Sequence, residues 1–378
     1  MSERAPRVIL AAGGTGGHFY PGYVLGRTLR ERGFETLYLV REEDPAGKVL
    51  AADNLPFVEV PLRGLPRRPG LGLLRFPWKL AQSLRLVGRV VADFKPDALV
   101  AMGGYLTFPA AWAAWRHDVP VLLHESNSVL GLANKASLPF SRLLALGLPF
   151  ERPPRVPFLL AGTPVRRDLW SLPEPQSARR ELGLAPDTAT LLVFGGSQGA
   201  RSMNQLVPEG LRRAAAEGAG PFQVLHLSGA KDAVAAAKAY AGAPFTAKVL
   251  PYLHEMERGY AAADLVISRS GASTLAELAA TAKPALLVPF PFAAANHQEA
   301  NARAAARVGA ARCLPERDLT TELLARTLGD LIPSGSAAAS ARARLLEMGR
   351  RWSRLGLPSA PDCVAGLAAT VRDLAERR

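Results

Sequence analysis

Cysteine is scarce in this sequence. The 378 residues include two cysteines, Cys313 and Cys363, which are far apart and lack the spacing of metal ligands. This pattern argues against a zinc site and against a disulfide framework, and it fits a reducing compartment. An Asp-x-Asp pair of the kind that holds a divalent ion is also missing, so we predict no metal cofactor.

Long apolar runs are absent as well. No stretch of about 18 uncharged apolar residues occurs, which argues against a membrane-spanning helix. The N-terminal residues MSERAPRVILAAGG lack the long apolar core and the cleavage site of a signal peptide. What the chain does have is an excess of positive charge, with 46 Lys and Arg against 33 Asp and Glu. The net charge of +13 suits nucleic acid, an anionic membrane or phosphorylated substrates, and charge alone does not choose among them.

The apolar residues are grouped in short runs separated by helix-length segments. A hydrophobic fraction of 48% is typical of globular proteins, and a length of 378 residues favours two domains. Continuous apolar runs alternating with helices predict an α/β protein with parallel sheets covered on both faces. The predicted strands are Val8–Ala12, Thr36–Val40, Ala98–Ala101, Val119–Leu123, Leu143–Leu146, Leu191–Phe194, Gln223–Leu227, Lys248–Leu250, Leu265–Ser268 and Ala285–Val288.

One pattern occurs twice, about half a chain apart. An apolar run leads into Gly13-Gly14-Thr15-Gly16-Gly17, and a second leads into Gly195-Gly196-Ser197-Gln198-Gly199. Two Rossmann-like domains, each opening with a strand and a glycine-rich turn, would produce this echo. We therefore predict an N-terminal domain over residues 1–165, a C-terminal domain over 166–345, and a tail over 346–378 that crosses back onto the first domain.

The first glycine-rich turn is a candidate ligand site. Glycines allow the backbone to approach a ligand closely, and the unpaired N–H groups at the start of the following helix suit an anion. The spacing does not match a dinucleotide fingerprint, because the third glycine position falls on Phe19. His18 follows the last glycine, at the strand end where open α/β sheets bind ligands. The alternative is a tight turn without a ligand and a structural histidine.

The second half carries three further candidate segments. The turn at residues 195–199 offers backbone donors for a diphosphate without a metal, and Arg166 and Arg269 could add positive charge. Ser268–Glu277 opens a helix after a strand, and the carboxylate of Glu277 could accept two hydrogen bonds from a ribose diol. Gln298 follows a proline-stiffened loop and could read sugar hydroxyls. Solvated arginines and ordinary helix-face polar residues are the alternatives.

Seven short motifs occur in one order along the chain: GGTGGHFYPG, MGGYLTFP, HESN, TPVR, GGSQGARSMN, SRSGASTLAE and HQEANA. Together they resemble the MurG family of glycosyltransferases. The resemblance implies the GT-B fold, in which two Rossmann-like domains face a cleft. It also implies transfer of N-acetylglucosamine from UDP-N-acetylglucosamine to the C4 hydroxyl of the muramoyl sugar of lipid I, giving lipid II with inversion at the anomeric centre.

The resemblance also implies roles for individual residues. His18 matches a histidine proposed near the reaction centre, Leu253 a position whose backbone reads the uracil, and Glu277 the ribose ligand. Including Arg269 for its charge, the candidate donor-binding set is Thr15, Gly16, Gly17, Asn127, Arg166, Ser197, Leu253, Arg269, Ala272, Ser273, Thr274, Leu275, Ala276, Glu277 and Gln298.

The segment from Arg63 to Lys95 is a candidate membrane-docking element. Its eight basic residues against Asp93 give a net charge of +7, more than half of the total of +13. Basic residues interleaved with Trp, Phe and Leu are typical of an interfacial element, and MurG-family members carry an apolar and basic patch in this domain. We expect Pro69 and Pro77 to interrupt regular structure here. The candidate acceptor- and membrane-contacting residues are Leu73, Phe76, Trp78, Lys79 and Tyr105.

The implied partners are UDP-N-acetylglucosamine, lipid I and the anionic inner membrane surface, and no nucleic acid. The implied location is the cytoplasmic face of the cell membrane, with peripheral attachment. Two other functions stay open at this stage. A UDP-N-acetylglucosamine 2-epimerase would share the two-domain architecture, and a membrane-attached UDP-sugar sensor would bind the donor without turnover.

Overall fold

The computed structural model of this protein describes residues 4–62, 71–152, 154–196 and 199–377, without the side chains of residues 71–75 and 336. The chain divides into two compact units. The first comprises Met1–Arg166 together with Gly356–Arg378, and the second comprises Arg167–Leu355. Each unit is built on one parallel sheet.

The first unit holds a seven-stranded sheet flanked by helices. Its strands are β1 Arg7–Ala11, β2 Glu35–Arg41, β3 Phe57–Val60, β4 Ala98–Ala101, β5 Val121–Glu125, β6 Leu143–Leu146 and β7 Phe158–Leu160. Its first five helices are α1 Gly16–Glu31, α2 Pro45–Ala52, α3 Leu71–Phe94, α4 Thr107–Arg116 and α5 Leu132–Ser137. The strand order is β3-β2-β1-β4-β5-β6-β7, and Leu10 pairs with Tyr38 on one side and Val100 on the other.

The second unit repeats this plan with six strands. They are β8 Ala189–Phe194, β9 Phe222–Leu227, β10 Ala247–Leu250, β11 Leu265–Ser268, β12 Ala285–Leu287 and β13 Ala311–Cys313. The helices are α6 Pro175–Glu181, α7 Arg201–Ala216, α8 Ala233–Ala239, α9 Met256–Ala262, α10 Ala272–Ala280, α11 His297–Arg307, α12 Thr321–Leu331 and α13 Ala338–Arg350. Short 3₁₀ turns lie at Leu138–Phe140, Arg167–Leu169, Ala294–Asn296, Glu316–Asp318, Gly335–Ala337 and Arg351–Leu355.

Both glycine-rich turns follow the strand at which the strand order reverses. In the first unit β1 lies between β2 and β4, and in the second β8 lies between β9 and β11. Ligands of open α/β sheets bind at this switch point, outside the carboxyl ends of the strands. The order β10-β9-β8-β11-β12-β13 repeats the first six strands of the other unit. The repeated pattern in the sequence therefore reflects a repeated strand order in the two units.

Alternate residues of the central strands belong to different cores. Val8 and Leu10 are buried with one cluster, and Ile9 and Ala11 with another. A strand buried on both faces needs apolar residues throughout, which is why continuous apolar runs are the sequence signal of these sheets.

The chain returns to the first unit at Gly356, ten residues later than the predicted boundary at residue 346. Buried Trp352 explains the later boundary. Its Nε1 donates to the carbonyl oxygen of Lys283 at 2.8 Å, which holds the 3₁₀ turn Arg351–Leu355 in the second unit. Helix α14, Ala360–Glu376, then packs against α1 and buries Leu367 and Val371.

Helix α3 runs through Pro77, so the predicted interruption at that proline is wrong. Pro69 lies outside the described residues. A proline removes one helical hydrogen bond and costs roughly 3 kcal/mol in an isolated helix interior. Packing of α3 against α4 and β3 opposes that cost. Its buried stripe includes Ser83, Val87 and Val91, at helical spacing.

Candidate functional site

The turn after β1 is tied to the neighbouring helix. The amide of Gly14 donates to Asp44 Oδ2 at 2.6 Å, and the other carboxylate oxygen of Asp44 accepts from Ala46 N at 3.1 Å. Asp44 thereby caps α2 and holds the turn. Thr15 is the N-cap of α1, and its side chain makes no capping hydrogen bond. Thr15, Gly16 and Gly17 thus lie at the start of a helix, where an anion would be favoured.

The ring of His18 is fixed by the segment that follows β4. His18 Nδ1 lies 3.0 Å from the carbonyl oxygen of Met102. Because a carbonyl only accepts, Nδ1 must donate, and Nε2 of the neutral ring carries the lone pair. Gly103 and Gly104 both have positive φ, and a Cβ on Gly103 would lie 2.8 Å from the imidazole ring. These glycines make room for the ring, and exposed Tyr105 follows them.

A buried carboxylate organises the loop after β5. Glu125 accepts from the backbone amide and the side-chain amide of Asn127 at 3.1 and 3.0 Å. It also accepts from Gly131 N at 2.8 Å and from Asn134 Nδ2 at 2.9 Å. Half-buried Asn127 is therefore held in place from within the unit. The motif HESN contained this signal, but reasoning from sequence selected only its asparagine.

The neighbouring residue, His124, is structural. Its Nε2 donates to the carbonyl oxygen of Gly162 at 2.8 Å, and its Nδ1 lies 3.3 Å from Ser126 Oγ. Burial lowers the pKa of His124, so the ring is neutral at physiological pH. The bond to Gly162 fixes the segment that leads to half-buried Arg166, the last residue of this part of the first unit.

The turn after β8 has the same place in the second unit. Ser197 and Gln198 lie outside the described residues, so the prediction for Ser197 stays untested. Gly199 has a φ of +72°, and a Cβ there would lie 2.4 Å from the carbonyl oxygen of Ser228. Helix α7 then begins with Ala200 as its N-cap, a residue without a side-chain oxygen. The side chain of Ala200 therefore cannot cap the first amides of α7. A helix start of this kind suits a diphosphate.

Helix α10 places several predicted donor residues together. Its first turn comprises Ala272, Ser273 and Thr274, with Ala276 beyond them. Leu275 is fully buried, so it can meet a ligand only through its backbone. Glu277 is half-buried, and Oε2 of its carboxylate accepts from the hydroxyl of Tyr260 at 2.7 Å. Tyr260 itself is fully buried, which makes it a rigid support for the carboxylate.

Two other predicted donor residues serve their own loops. Gln298 Oε1 accepts from the amide of Phe290 at 2.9 Å, which ties the start of α11 to the loop after β12. Leu253 follows β10 and is mostly buried, in keeping with a role for its backbone rather than its side chain.

Arg269 differs from the sequence-based expectation. Its side chain is buried, and it donates to Ser202 Oγ at 3.0 Å and to the carbonyl oxygens of Val288 and Pro289 at 3.1 and 3.2 Å. It also forms an ion pair with Glu316. The guanidinium is thus engaged by protein groups and is not a free charge for a diphosphate.

The predicted membrane residues fall on two faces of α3. Phe76 is partly buried and packs against the core on the face that carries Val87, and its role as a membrane contact stays a prediction. Trp78 is 63% exposed, and Arg85 and Arg89 are exposed at the helical spacing that puts them on its face. Lys79 is half-buried, and the side chain of Leu73 lies outside the described residues.

Within the described ranges, no three His, Cys, Asp or Glu side chains are grouped to hold a metal ion. The expectation that no metal is needed stays a prediction. In the same part of the chain, no helix has the length and apolar character required to cross a membrane.

Comparison with known proteins assigns the chain. Sequence models of the glycosyltransferase family 28 N-terminal and C-terminal domains match residues 8–142 and 190–350. Two curated relatives are named UDP-N-acetylglucosamine--N-acetylmuramyl-(pentapeptide) pyrophosphoryl-undecaprenol N-acetylglucosamine transferase. The relative from Elusimicrobium minutum is 36% identical over 97% of this chain and 99% of its own length. The relative from Bordetella pertussis is 38% identical over 90% of this chain and 93% of its own length.

The chain belongs to the MurG family of glycosyltransferases. The crystal structure of Acinetobacter baumannii MurG agrees, with a TM-score of 0.78, 27% identity and coverage of 97% of this chain and 99% of that one. The predicted α/β architecture and GT-B fold class are confirmed. As a MurG-family member the protein is an enzyme, a hexosyltransferase.

Proposed function

We propose that this MurG-family enzyme transfers N-acetylglucosamine from UDP-N-acetylglucosamine to the C4 hydroxyl of the N-acetylmuramoyl sugar of lipid I, giving lipid II for peptidoglycan synthesis. The observation that carries the proposal is the near full-length similarity to relatives that bear the name of this reaction. A UDP-sugar epimerase or a non-catalytic sensor gains no comparable support.

The donor is bound mainly by the second unit in this proposal. The N-terminal turns of α7 and α10 receive the diphosphate and the ribose side of UDP, with Glu277 on the ribose diol. Gln298 reads the sugar hydroxyls, and the backbone at Leu253 reads the uracil. Backbone donors at a helix start stabilise the negative charge that develops as UDP leaves.

The first unit supplies the acceptor side of the reaction. Inversion at the anomeric carbon needs in-line attack by the acceptor hydroxyl and a base that takes its proton. His18 is our candidate for the base, because the hydrogen bond from Nδ1 to Met102 leaves the lone pair on Nε2. Exposed Tyr105, after β4, belongs to this acceptor side, whereas Asn127, which Glu125 holds after the neighbouring strand β5, belongs to the donor-binding set.

The exposed face of α3 is the proposed membrane contact. Trp78 suits the interface between headgroups and acyl chains, and Arg85 and Arg89 on the same face are attracted to anionic lipid. Each basic residue near such a surface adds about 1 kcal/mol to binding. A polyprenyl-linked acceptor stays in the bilayer, so we place the enzyme peripherally on the cytoplasmic face of the membrane.

Release of UDP tests the reaction against its alternatives. The purified protein is incubated with UDP-N-acetylglucosamine, with and without a short-chain lipid I analogue, and UDP is measured by a coupled assay. Release that requires the acceptor supports transfer. Formation of the free 2-epimer would support the epimerase, and donor binding without turnover would support the sensor.

A further inference from the structure

Arg269 connects segments that are distant in sequence. It lies directly after β11, and its side chain reaches Ser202 in the first turn of α7. The same guanidinium donates to the carbonyl oxygens of Val288 and Pro289 after β12, and it lies over the ring of Phe290 at 5.5 Å. The carboxylate of Glu316 forms an ion pair with the guanidinium of Arg269.

Both connected segments belong to the proposed donor site, and the inference rests on that proposed function. Ser202 is in the turn of α7 whose amides are assigned to the diphosphate. The amide of Phe290 is bonded to Gln298, which is assigned to the sugar hydroxyls. Movement of Arg269 would therefore shift the diphosphate turn relative to the sugar-reading glutamine.

We propose that Arg269, locked by Glu316, is a positioning residue that sets the α7 turn and the loop carrying Phe290 in the geometry required to bind the diphosphate and the sugar together. The planar guanidinium serves acceptors in several directions at once, which a lysine ammonium cannot reproduce with the same geometry. Glu316 balances the buried charge and restrains the fork.

The competing role is direct attraction of the diphosphate by the positive charge of Arg269. The two roles predict opposite effects of Glu316→Gln. If Arg269 attracts the diphosphate through its charge, removal of a competing carboxylate should tighten UDP binding. If Arg269 positions the site, loss of its restraint should weaken UDP binding.

The experiment measures binding of UDP and of uridine by titration calorimetry or ligand-observed NMR. We expect Glu316→Gln, which removes the ion pair, and Arg269→Lys, which removes the planar guanidinium, each to weaken UDP binding about tenfold. Uridine affinity should hold in both variants, since the side chain of Arg269 contacts α7, the loop after β12 and Glu316 rather than Leu253 or the carboxylate of Glu277. In the transfer assay, KM for the donor should rise more than kcat falls.

Asp264→Asn is the matched control. Asp264 pairs with buried Arg179 at 2.7 Å at the opposite end of β11, away from the donor residues. This variant should lose thermal stability and keep the wild-type UDP affinity. UDP binding by Glu316→Gln as tight as, or tighter than, that of the wild type would overturn the inference, and so would a parallel loss of uridine binding. A wild type that binds UDP but transfers nothing would instead count against the proposed reaction and leave the comparison of variants intact.

Discussion

Glu277 is a predicted ligand residue whose side chain is held in place by a buried neighbour. Its carboxylate sits on α10 and is held by a fully buried tyrosine, Tyr260, through a hydrogen bond of 2.7 Å. A carboxylate fixed at one oxygen presents a defined direction to a diol. The ring of Tyr260 also packs edge-on against Phe194 at 6.2 Å, so the support has little freedom to move.

Removal of this carboxylate should weaken the donor site selectively. Glu277→Ala loses two charge-assisted hydrogen bonds of about 1.5–3 kcal/mol each, so KM for UDP-N-acetylglucosamine should rise roughly tenfold or more. Tyr260→Phe keeps the carboxylate but frees it, and its effect should be smaller. Both variants should also lose part of the preference for UDP over 2′-deoxy-UDP. Tyr240→Phe removes a buried hydroxyl of the same unit that contacts His226 instead, and it should keep the preference. An unchanged KM in Glu277→Ala would remove Glu277 from the site.

His18 tests the acceptor half of the site. If Nε2 takes the proton of the attacking hydroxyl, His18→Ala should lower kcat by ~10²–10⁴ with a smaller change in KM. Steady-state kinetics with both substrates varied separate the two constants. A variant with wild-type kcat and a raised acceptor KM would assign His18 to positioning, and a fully active variant would exclude it from the reaction.

Sequence motifs located these residues because strand ends and helix starts are local features. His18, Glu277 and Gln298 all follow apolar runs in the sequence, and each lies within the first two turns of the α-helix that comes after a strand. The partners of Arg269 could not be predicted in this way. Ser202, Val288 and Glu316 come from three other segments, and only the tertiary fold brings them to one guanidinium.

At the scale of elements, α7 is held to its sheet by a buried polar network. On β9, His226 Nδ1 lies 3.0 Å from the hydroxyl of Tyr240, and His226 Nε2 lies 3.0 Å from Asn204 Oδ1. The side-chain amide of Asn204 also donates to the carbonyl oxygen of Ser228 and to the carboxylate of Asp232. Burial lowers the pKa of His226 to about 4. The neutral ring is therefore part of the folded state that positions the start of α7.

The pH dependence of stability follows from this shift. An unfolded histidine titrates near 6.5, so the unfolded chain binds a proton first as the pH falls, and folding loses roughly 1.4 kcal/mol per pH unit between about 6 and 4. Above pH 6.5 the contribution of His226 is complete. Urea unfolding of wild type and His226→Gln at several pH values should show a shallower acid slope in the variant. His254→Gln, at an exposed position of the same unit, is the control. Equal slopes in wild type and His226→Gln would contradict the role of this ring.

We predict that the exposed face of α3, which carries Trp78, Arg85 and Arg89, binds anionic membranes. Wild-type protein should sediment with liposomes that contain anionic lipid, and binding should weaken as salt rises. Trp78→Glu should reduce binding strongly, because it removes an interfacial anchor and reverses the local charge. Val234→Glu introduces the same charge at a 73% exposed apolar position in the second unit and should bind like wild type. If a folded Trp78→Glu variant bound equally well, the membrane contact would lie elsewhere.

The elements that the sequence did not predict are short or depend on their neighbours. Strands β3, β7 and β13 have four, three and three residues, and they lie at or near the edges of their sheets. Runs of this length carry little periodicity of their own. Similarly, α3 continues through Pro77 because its packing against α4 and β3 offsets the helix-breaking tendency of the proline. The direction of the Phe76 side chain depends on where the helix begins, which the local sequence does not show.

At the scale of the whole chain, one supersecondary plan is used twice. The first strand of each unit lies inside its sheet and leads into a glycine-rich turn and a helix, and each sheet reverses its order at that strand. The duplication was visible in sequence because both turns keep their glycines. The return of α14 to the first unit was predicted from the helical tail, but its boundary depends on the burial of Trp352 in the second unit.

The linkage in the product tests the central claim most directly. The enzyme is incubated with UDP-N-acetylglucosamine and a short-chain lipid I analogue, and the product is isolated and examined by NMR. We predict one added N-acetylglucosamine, bonded to C4 of the muramoyl sugar, with the large coupling between anomeric and neighbouring protons that marks a β linkage. An α-linked product, a different hydroxyl or an unmodified acceptor beside epimerised donor would contradict the account.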